Sequence, residues 1–256
     1  IDGSYADYLT LQLADNTGSD SIDISEAVII GADQDPYYIN IDGVEDVYMS
    51  SAQNEHISSA DGDNSVTLSD SGEINGNSNI ETYVLSADGG SSFYLGSDSQ
   101  NVTTGGSGDS IDIGSHHVTG QLFTVSSDTI NISDGADLSQ ARNNANTTGG
   151  ALAAQTLNLD PDGIDTGEGS AITLTVDQHN GFNAINADGT NDQITFSSAG
   201  GTAVINANAS IENYLLGGNK NDINTFIVNS DNTSVNVTGG ASNDSIIVNN
   251  LPVDGS

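Results

Sequence analysis

The sequence predicts an all-β protein built as a β-solenoid, a parallel β-roll or a related stack of β-sheets. Short segments of alternating or β-branched residues end in Asp, Asn or Gly along most of the 256 residues. One turn-and-strand pattern recurs, and many of its copies lie about twenty residues, or a multiple of that, apart, which is about one solenoid coil. The chain has only 3 prolines, which suits strands that hydrogen-bond along both edges.

The clearest copy of this pattern is GGASNDSIIV at residues 239–248. Its two glycines permit the positive φ angles of a tight turn, and Asp244 places a carboxylate where backbone carbonyl oxygens also converge. The β-branched residues that follow alternate toward a core. Related copies begin at residues 18, 105 and 127, and looser ones at 63, 191 and 217. A turn that recurs this often is expected to be a structural repeat of the fold.

The charge balance indicates bound cations. The chain carries 36 acidic residues against 2 basic ones, Arg142 and Lys220, for a formal charge of −34. Because the compact state would suffer from this repulsion, a divalent cation is the expected counterion. Most of the acids are Asp, which favours turns and short-reach metal ligation. The alternative is the acidic coat of a halophilic protein, which would use Glu as readily and would not place Asp at repeated turn tips.

Composition also excludes several partners. The scarcity of Lys and Arg argues against nucleic acid and against direct binding to anionic membranes. No run of residues is apolar for the length of a membrane span, and no basic-then-apolar leader is present. Residue 1 is therefore expected to lie inside a mature chain, from which a leader was removed, or inside a longer protein, or in a protein exported by another signal. Without cysteine, no disulfide framework is expected.

A second phrase, a β-branched residue followed by Glu and then an aliphatic or aromatic run, occurs three times, at residues 44–49, 80–85 and 211–216. The last two copies follow similar text, INGNSN and INANAS, which indicates a duplication. We therefore divide the chain into an N-terminal β-repeat half, an insertion or hinge, and a C-terminal β-repeat half, at residues 1–133, 134–151 and 152–256. A brief helix is expected in the middle segment, beginning at Asp137 and ending at Gly149 and Gly150.

The candidate calcium ligands are the carboxylates at turn tips and the glycines that leave carbonyl oxygens free to face an ion. Since Ca²⁺ takes about six to eight oxygen ligands, turns of adjacent rungs are expected to share one ion. The predicted ligands are Asp20, Asp63, Gly105, Gly106, Gly108, Asp109, Asp128, Asp192, Gly217, Asp222, Gly239, Asn243 and Asp244. For each turn the alternative is an Asx-turn, in which the side chain hydrogen-bonds its own backbone.

An acidic loop at residues 160–168 is a separate candidate, with Asp160, Asp162 and Asp165 as ligands, although its spacing does not fit an EF-hand. A solvated loop is the alternative there.

The sequence does not predict an enzyme. The four histidines lack the spacing of a zinc site, and the adjacent His116 and His117 would point to opposite faces of an extended segment. No pair of carboxylates stands out from the others as a glycosidase pair. Two basic residues are too few for the usual chemistry of a polysaccharide lyase. No catalytic residue is therefore assigned.

The motif GGASND at residues 239–244 resembles the GGxGxD core of the nonapeptide repeat of RTX (repeats-in-toxin, or hemolysin-type) calcium-binding proteins, with Ser242 in place of the third glycine. The copy at residues 105–111 is one residue shorter before Asp109. Scattered degenerate copies among Thr-, Asn- and Ser-rich rungs resemble secreted bacterial surface-layer proteins and large adhesins. The resemblance implies export, folding outside the cell on binding Ca²⁺, and assembly into lattices or filaments. It carries the ligand role to Gly239, Gly240, Asn243 and Asp244, and further to Gly105, Gly106, Gly108 and Asp109.

Together these observations favour a calcium-stabilised, extracellular, non-enzymatic structural protein that self-assembles as a surface-layer or surface-filament subunit. Open strand edges at the ends of a solenoid independently favour end-to-end association. The second hypothesis is a calcium-dependent adhesin module that binds a cell-surface glycan. The third is a carbohydrate-active enzyme on a β-helix.

Overall fold

The computed structural model describes residues 8–10, 21–26, 38–42, 44–60, 63–160, 169–187, 191–197, 202–217, 223–229, 235–241 and 243–249. This part of the chain is nearly all-β and forms a solenoid of about 9 turns. The predicted fold class is thereby confirmed. Asp20, Asp162, Asp165 and Asp222 lie outside the described residues.

The first half of the described chain has thirteen short strands and one helix. They are β1 (Tyr8–Thr10), β2 (Ser21–Asp23), β3 (Tyr38–Asn40), β4 (Asp46–Met49), α1 (Ser51–Asn54), β5 (Ile57–Ser59), β6 (Ser65–Leu68), β7 (Glu73–Asn75), β8 (Thr82–Val84), β9 (Ser92–Tyr94), β10 (Asn101–Thr103), β11 (Ser110–Asp112), β12 (Leu122–Phe123) and β13 (Thr129–Ile132).

The remainder has nine strands and a second helix. They are β14 (Thr156–Leu159), β15 (Ala171–Leu174), α2 (Val176–Gly181), β16 (Ala184–Ala187), β17 (Gln193–Phe196), β18 (Thr202–Asn206), β19 (Asn213–Leu215), β20 (Ile223–Val228), β21 (Asn236–Thr238) and β22 (Ser245–Val248).

The strands pair in parallel, and a strand usually pairs with the one two places further along the chain. Val102 of β10, for example, lies opposite Leu122 of β12, about one coil further on. Five sheets result, in the orders β1-β3-β5, β2-β4-β6-β8-β10-β12, β7-β9-β11-β13-β14-β16, β15-β17-β19-β21 and β18-β20-β22. Most coils therefore add one strand to each of two sides of the stack, whereas β13 and β14 pair directly.

The core follows from the two-residue alternation of the strands. In β6 and β13 every second side chain is buried. The buried side chains stack in register along the axis, as Ile111 does on Ile130. Each fully buried aliphatic side chain contributes ~1.5–3 kcal/mol relative to leaving it exposed. A rung alone has no neighbours to cover it, so the stack is the smallest stable unit.

Both helices are single capped turns at corners of the coil. Ser50 and Thr175 accept from the backbone N–H of Gln53 and Gln178, and each glutamine side chain accepts from the cap residue's backbone N–H in return. The amide nitrogen of Gln178 also donates to the Leu138 carbonyl oxygen at 2.6 Å, inside the core. These glutamines thus bond the helix to the preceding coil.

The brief helix expected from Asp137 does not form, so that prediction is wrong. The segment makes turns and isolated parallel bridges, and Asp137 bridges to both His117 and Thr173. Its backbone N–H donates to His116 and its carbonyl accepts from Val118. Because these groups bond to neighbouring coils, they cannot form the i to i−4 bonds of a helix. The predicted domain boundaries at 134 and 151 stay a prediction.

The duplicated text produces duplicated contacts. The hydroxyl oxygen of Tyr83 accepts the backbone N–H of Asn77 at 2.9 Å, and that of Tyr214 accepts the backbone N–H of Asn208 at 2.8 Å. The Tyr83 ring lies 4.9 Å from Phe93 at 56°, and the Tyr214 ring lies 4.8 Å from Phe226 at 59°. The same sequence phrase thus builds the same packing unit twice.

The sheets of the described residues do not run the whole length of the stack, since separate sheets end at β5, at β12 and at β16. Strand β16 ends one sheet and β18 begins the next, whereas β15, β17, β19 and β21 pair continuously on another side. A cleft of about 490 Å³ lies at the interruption, lined among others by Phe182, Asn183 and Val204. The side-chain amide of Asn180 in α2 donates to the Val204 carbonyl at 2.8 Å and links the two parts. Neither helix in the described ranges has the length and apolar character needed to cross a membrane.

Candidate functional site

Four of the predicted turn-tip aspartates directly precede a strand, although these strands belong to three different sheets. Asp109, Asp128, Asp192 and Asp244 each lie one residue before a strand, namely β11, β13, β17 and β22. The first three are buried. The sequence reasoning therefore identified a true corner of the coil.

The Asp109 carboxylate is fully engaged in hydrogen bonds. Its Oδ1 accepts the backbone N–H of Ser91 at 2.8 Å, and its Oδ2 accepts the backbone N–H of Gly105 at 3.2 Å. Ser91 belongs to the preceding coil and Gly105 to the same turn. Burial raises the pKa of the Asp109 carboxyl above its ordinary value, its bond from Ser91 opposes that rise, and the nearby charge of Asp128 adds to it.

Asp128 repeats the arrangement one coil further on. Its Oδ1 accepts the backbone N–H of Asp109 at 3.1 Å. Its Oδ2 accepts the backbone N–H of Val125 at 2.8 Å and the hydroxyl of Thr104 at 2.7 Å. The two carboxylates thus form a ladder in which each closes its own turn and ties it to the turn below.

Asp244 closes the C-terminal copy in the same way. Its Oδ2 accepts the backbone N–H of Gly240 at 3.0 Å, as Asp109 accepts that of Gly105 four residues before it. Its Oδ1 accepts the Asn224 side-chain amide at 3.0 Å. Asn243 and Gly239 are exposed beside it.

The predicted glycines bring neighbouring coils into backbone contact. A Cβ on Gly105 would lie 2.2 Å from the Ser86 carbonyl oxygen, and one on Gly217 would lie 1.6 Å from that of Phe196. Gly106 is similarly close to Gly89. Gly108 instead has open space around it, but its φ is +79°, which disfavours other residues. The stacking of coils therefore requires glycine at 105, 106 and 217, and the backbone conformation favours it at 108.

These turns fit hydrogen bonding better than calcium ligation. The oxygens of Asp109 and Asp128 face N–H and O–H donors, whereas Ca²⁺ needs oxygens that face the ion. Within the described ranges, no three Asp, Glu or His side chains lie close enough together to hold a metal ion. The Asx-turn alternative does not describe these two residues either, because each accepts an N–H three or four residues earlier in its turn and another from a neighbouring coil. Their role as calcium ligands stays a prediction.

Asp160 and Asp63 lie in different surroundings. Asp160 has a φ of +50°, and its Oδ2 accepts the Ser170 hydroxyl at 3.4 Å. Asp63 is exposed and lines an acidic cleft of about 480 Å³ at the corner before β6. Among the described residues, that cleft is lined by Glu45, Asp46, Asp63, Asn64, Ser65, Glu81, Thr82 and Asn101.

The corner before β6 contains residues that the sequence reasoning missed. The Oε2 atom of Glu81 accepts the backbone N–H of Asn64 at 2.8 Å, from one coil to the next. In the second half, the Oε2 atom of Glu212 accepts the backbone N–H of Asp192 at 3.1 Å. The repeated Ile-Glu phrase was the available signal, since both glutamates come from it.

Of the basic and imidazole side chains of the described residues, Arg142 contacts the lining of the acidic cleft, at Asn101. His116 Nδ1 lies 2.7 Å from Asp98 Oδ1 at the surface. Arg142 donates to the side-chain oxygens of Asn146 and Asn101. His179 is packed edge-on against two rings of the core, and burial lowers its pKa, which favours the neutral form.

The fold and its corners define a parallel β-solenoid with carboxylate-closed turns. No protein-family model, curated protein or solved structure matches the chain. The kinship with RTX-like surface proteins accordingly stays a prediction that rests on the residues at 239–246 and 105–111.

Proposed function

We propose that this chain is a calcium-stabilised structural protein of the cell exterior, a surface-layer or surface-filament subunit that self-assembles end to end. The proposal involves no catalysis by this chain. Its partner is a second copy of the same chain.

The last described strand carries the proposal. Ile246 lies in register with the buried Phe226, yet 53% of Ile246 is exposed. Val248, in register with Val228, is 47% exposed. Among the described strands β22 is an edge strand, and it exposes inward-facing apolar side chains beside its hydrogen-bonding groups. An edge of this kind is a template for pairing with another chain.

The charge supports a cation requirement. With a formal charge of −34, two copies repel each other on approach, and bound Ca²⁺ would lower that repulsion. The exposed edge strand β22 favours association, whereas the negative charge of the two copies opposes it. Association is therefore expected to require calcium.

Electron microscopy and sedimentation of the whole chain with calcium and with chelator test this proposal. We expect sheets or fibres in calcium and smaller species in chelator. Ile246→Lys should block assembly, because it places a charge at the inward position, whereas Ile247→Lys should not, because Ile247 is in register with the partly exposed Ile227. A wild-type protein that remains monomeric in millimolar calcium at high concentration would refute the proposal.

A calcium-dependent, glycan-binding adhesin is the second candidate. The cleft between β16 and β18 favours it, since side-chain amides of Asn180, Asn183 and Asn206 line it together with Phe182. Amides with an aromatic ring provide the polar and apolar contacts that a sugar uses. Glycan-array binding that Asn183→Ala abolishes would favour this candidate over assembly.

A further inference from the structure

The acidic cleft at the corner before β6 differs from the carboxylate-closed turns. Its carboxylates, Glu45, Asp46, Asp63 and Glu81, come from three successive coils. Arg142 approaches only the far lining residue, Asn101, to which it donates at 3.2 Å. The cleft therefore concentrates negative charge around a cavity.

Asn64 provides an independent observation that points to a ligand in this cleft. The residue is 2% exposed and lines the cavity. Its amide nitrogen donates to the Val44 carbonyl at 2.6 Å, but its Oδ1 is buried and has no hydrogen-bond partner. An unsatisfied buried oxygen costs about 1–3 kcal/mol. A cation bound between this oxygen and the Glu81 carboxylate would satisfy both.

The equivalent corner of the second half repeats this feature. Asp192 is 2% exposed, and its Oδ1 accepts the Ser170 backbone N–H at 2.9 Å. Its Oδ2 is buried without a partner. Glu212 stands to Asp192 as Glu81 stands to Asn64, through the same bond from a backbone N–H to Oε2. Each half of the chain thus has a buried side-chain oxygen without a partner at the equivalent corner, next to the equivalent glutamate.

We infer that these two corners are divalent-cation sites, one at Asn64 and Glu81 and the other at Asp192 and Glu212. Each would take a hard cation of the calcium class, because the available side-chain ligands are oxygens. The glutamate from the Ile-Glu phrase holds the corner through one oxygen and offers the other to the ion. The remaining ligands would be water. The inference deepens the calcium requirement of the proposed function and rests on it.

Calorimetric titration of the whole chain with CaCl₂ at physiological ionic strength, which screens diffuse binding, tests the inference. Glu81→Gln keeps an oxygen to accept the Asn64 N–H but removes the charge. We expect it to weaken one binding event about tenfold or more, as loss of a metal-site residue does. The matched control is Glu73→Gln, which removes the same charge at an exposed position outside both corners.

Asp192→Asn tests the second corner and should weaken a different binding event by a similar factor. If Glu81→Gln, Asp192→Asn and Glu73→Gln all titrate like the wild type while the wild type binds calcium, the two corners are not the sites and the inference is overturned alone. If the wild type binds no calcium, both the inference and the calcium requirement of the proposed function are overturned.

Discussion

Asp109 holds two turns together while its charge is buried, and this makes the stability of the solenoid sensitive to pH at one residue. The folded-state pKa of Asp109 is raised above its ordinary value of 3.8. The folded protein therefore binds the proton more tightly than the unfolded chain does. The stabilisation from that proton is present at low pH and is lost as the pH rises through the raised pKa.

We accordingly predict that the difference in unfolding free energy between the wild type and Asp109→Asn changes with pH. The unfolding free energy of the wild type should fall relative to that of Asp109→Asn as the pH rises from about 3.8 through the raised pKa of Asp109. Urea denaturation of both proteins across this range measures it. Carboxylates that do not interact with Asp109 contribute equally to both proteins, and the repulsion from Asp128 is absent in the variant. A pH-independent difference would contradict the assignment.

At the scale of residues, the sequence located the corners but not their chemistry. Spacing alone placed Asp109, Asp128, Asp192 and Asp244 at turn tips. Each of these carboxylates also accepts from a donor, such as Ser91 for Asp109, that lies 18 or more residues away in another coil. Such contacts depend on the register between coils, which the sequence of one turn does not specify. The role of the Ile-Glu phrase was missed for the same reason.

At the scale of elements, the twin tyrosines allow a comparison within one molecule. The hydroxyl of Tyr83 accepts from Asn77 and also donates to the buried Asn54 Oδ1 at 3.1 Å. The hydroxyl of Tyr214 accepts from Asn208. Burial raises the pKa of both phenols, so both remain protonated at neutral pH.

We predict that Tyr83→Phe destabilises the fold by about 1–3 kcal/mol, because buried polar groups of Asn77 and Asn54 lose their partner. Tyr214→Phe should destabilise the fold less, since it leaves one group, the backbone N–H of Asn208, without its hydrogen-bond acceptor. Urea unfolding at neutral pH measures both, with the exposed Tyr94→Phe as the control. A loss at Tyr83 no larger than at Tyr94 would show that these bonds contribute nothing.

Secondary-structure elements were predicted well where the local residue pattern determines them, and poorly where contacts between stacked coils determine them. The alternating strands such as β6 and β13 were recognisable from their residues. The two capped turns α1 and α2 were too short for helical periodicity, although their Ser-x-x-Gln and Thr-x-x-Gln pattern is a capping signal. The helix expected at Asp137 failed because neighbouring coils claimed its backbone hydrogen bonds.

At the scale of the whole molecule, the charge of −34 has two possible explanations, a halophilic coat and specific calcium sites, which can be distinguished by experiment. A halophilic coat responds to screening by any salt, whereas specific sites respond to calcium by mass action. We predict that CaCl₂ raises the thermal unfolding midpoint more than NaCl at equal ionic strength. Scanning calorimetry of the whole chain measures this, and equal midpoints would favour the halophilic coat.

The solenoid itself was predictable because the turn-and-strand pattern recurs in the sequence with a spacing of about one coil. The interruption between β16 and β18 was not, since their residues alternate like those of any other pair of rungs. Pairing there depends on how α2 sits between the two coils.

That interruption has a mechanical consequence. In a parallel solenoid the hydrogen bonds between coils run along the long axis, so a pulling force along that axis loads each sheet in parallel. At β16 and β18 the tension passes to the neighbouring sheet, where β15 remains bonded to β17. A filament under tension would open on one side at this point, while the bonds between β15 and β17 hold the two coils together on the other side.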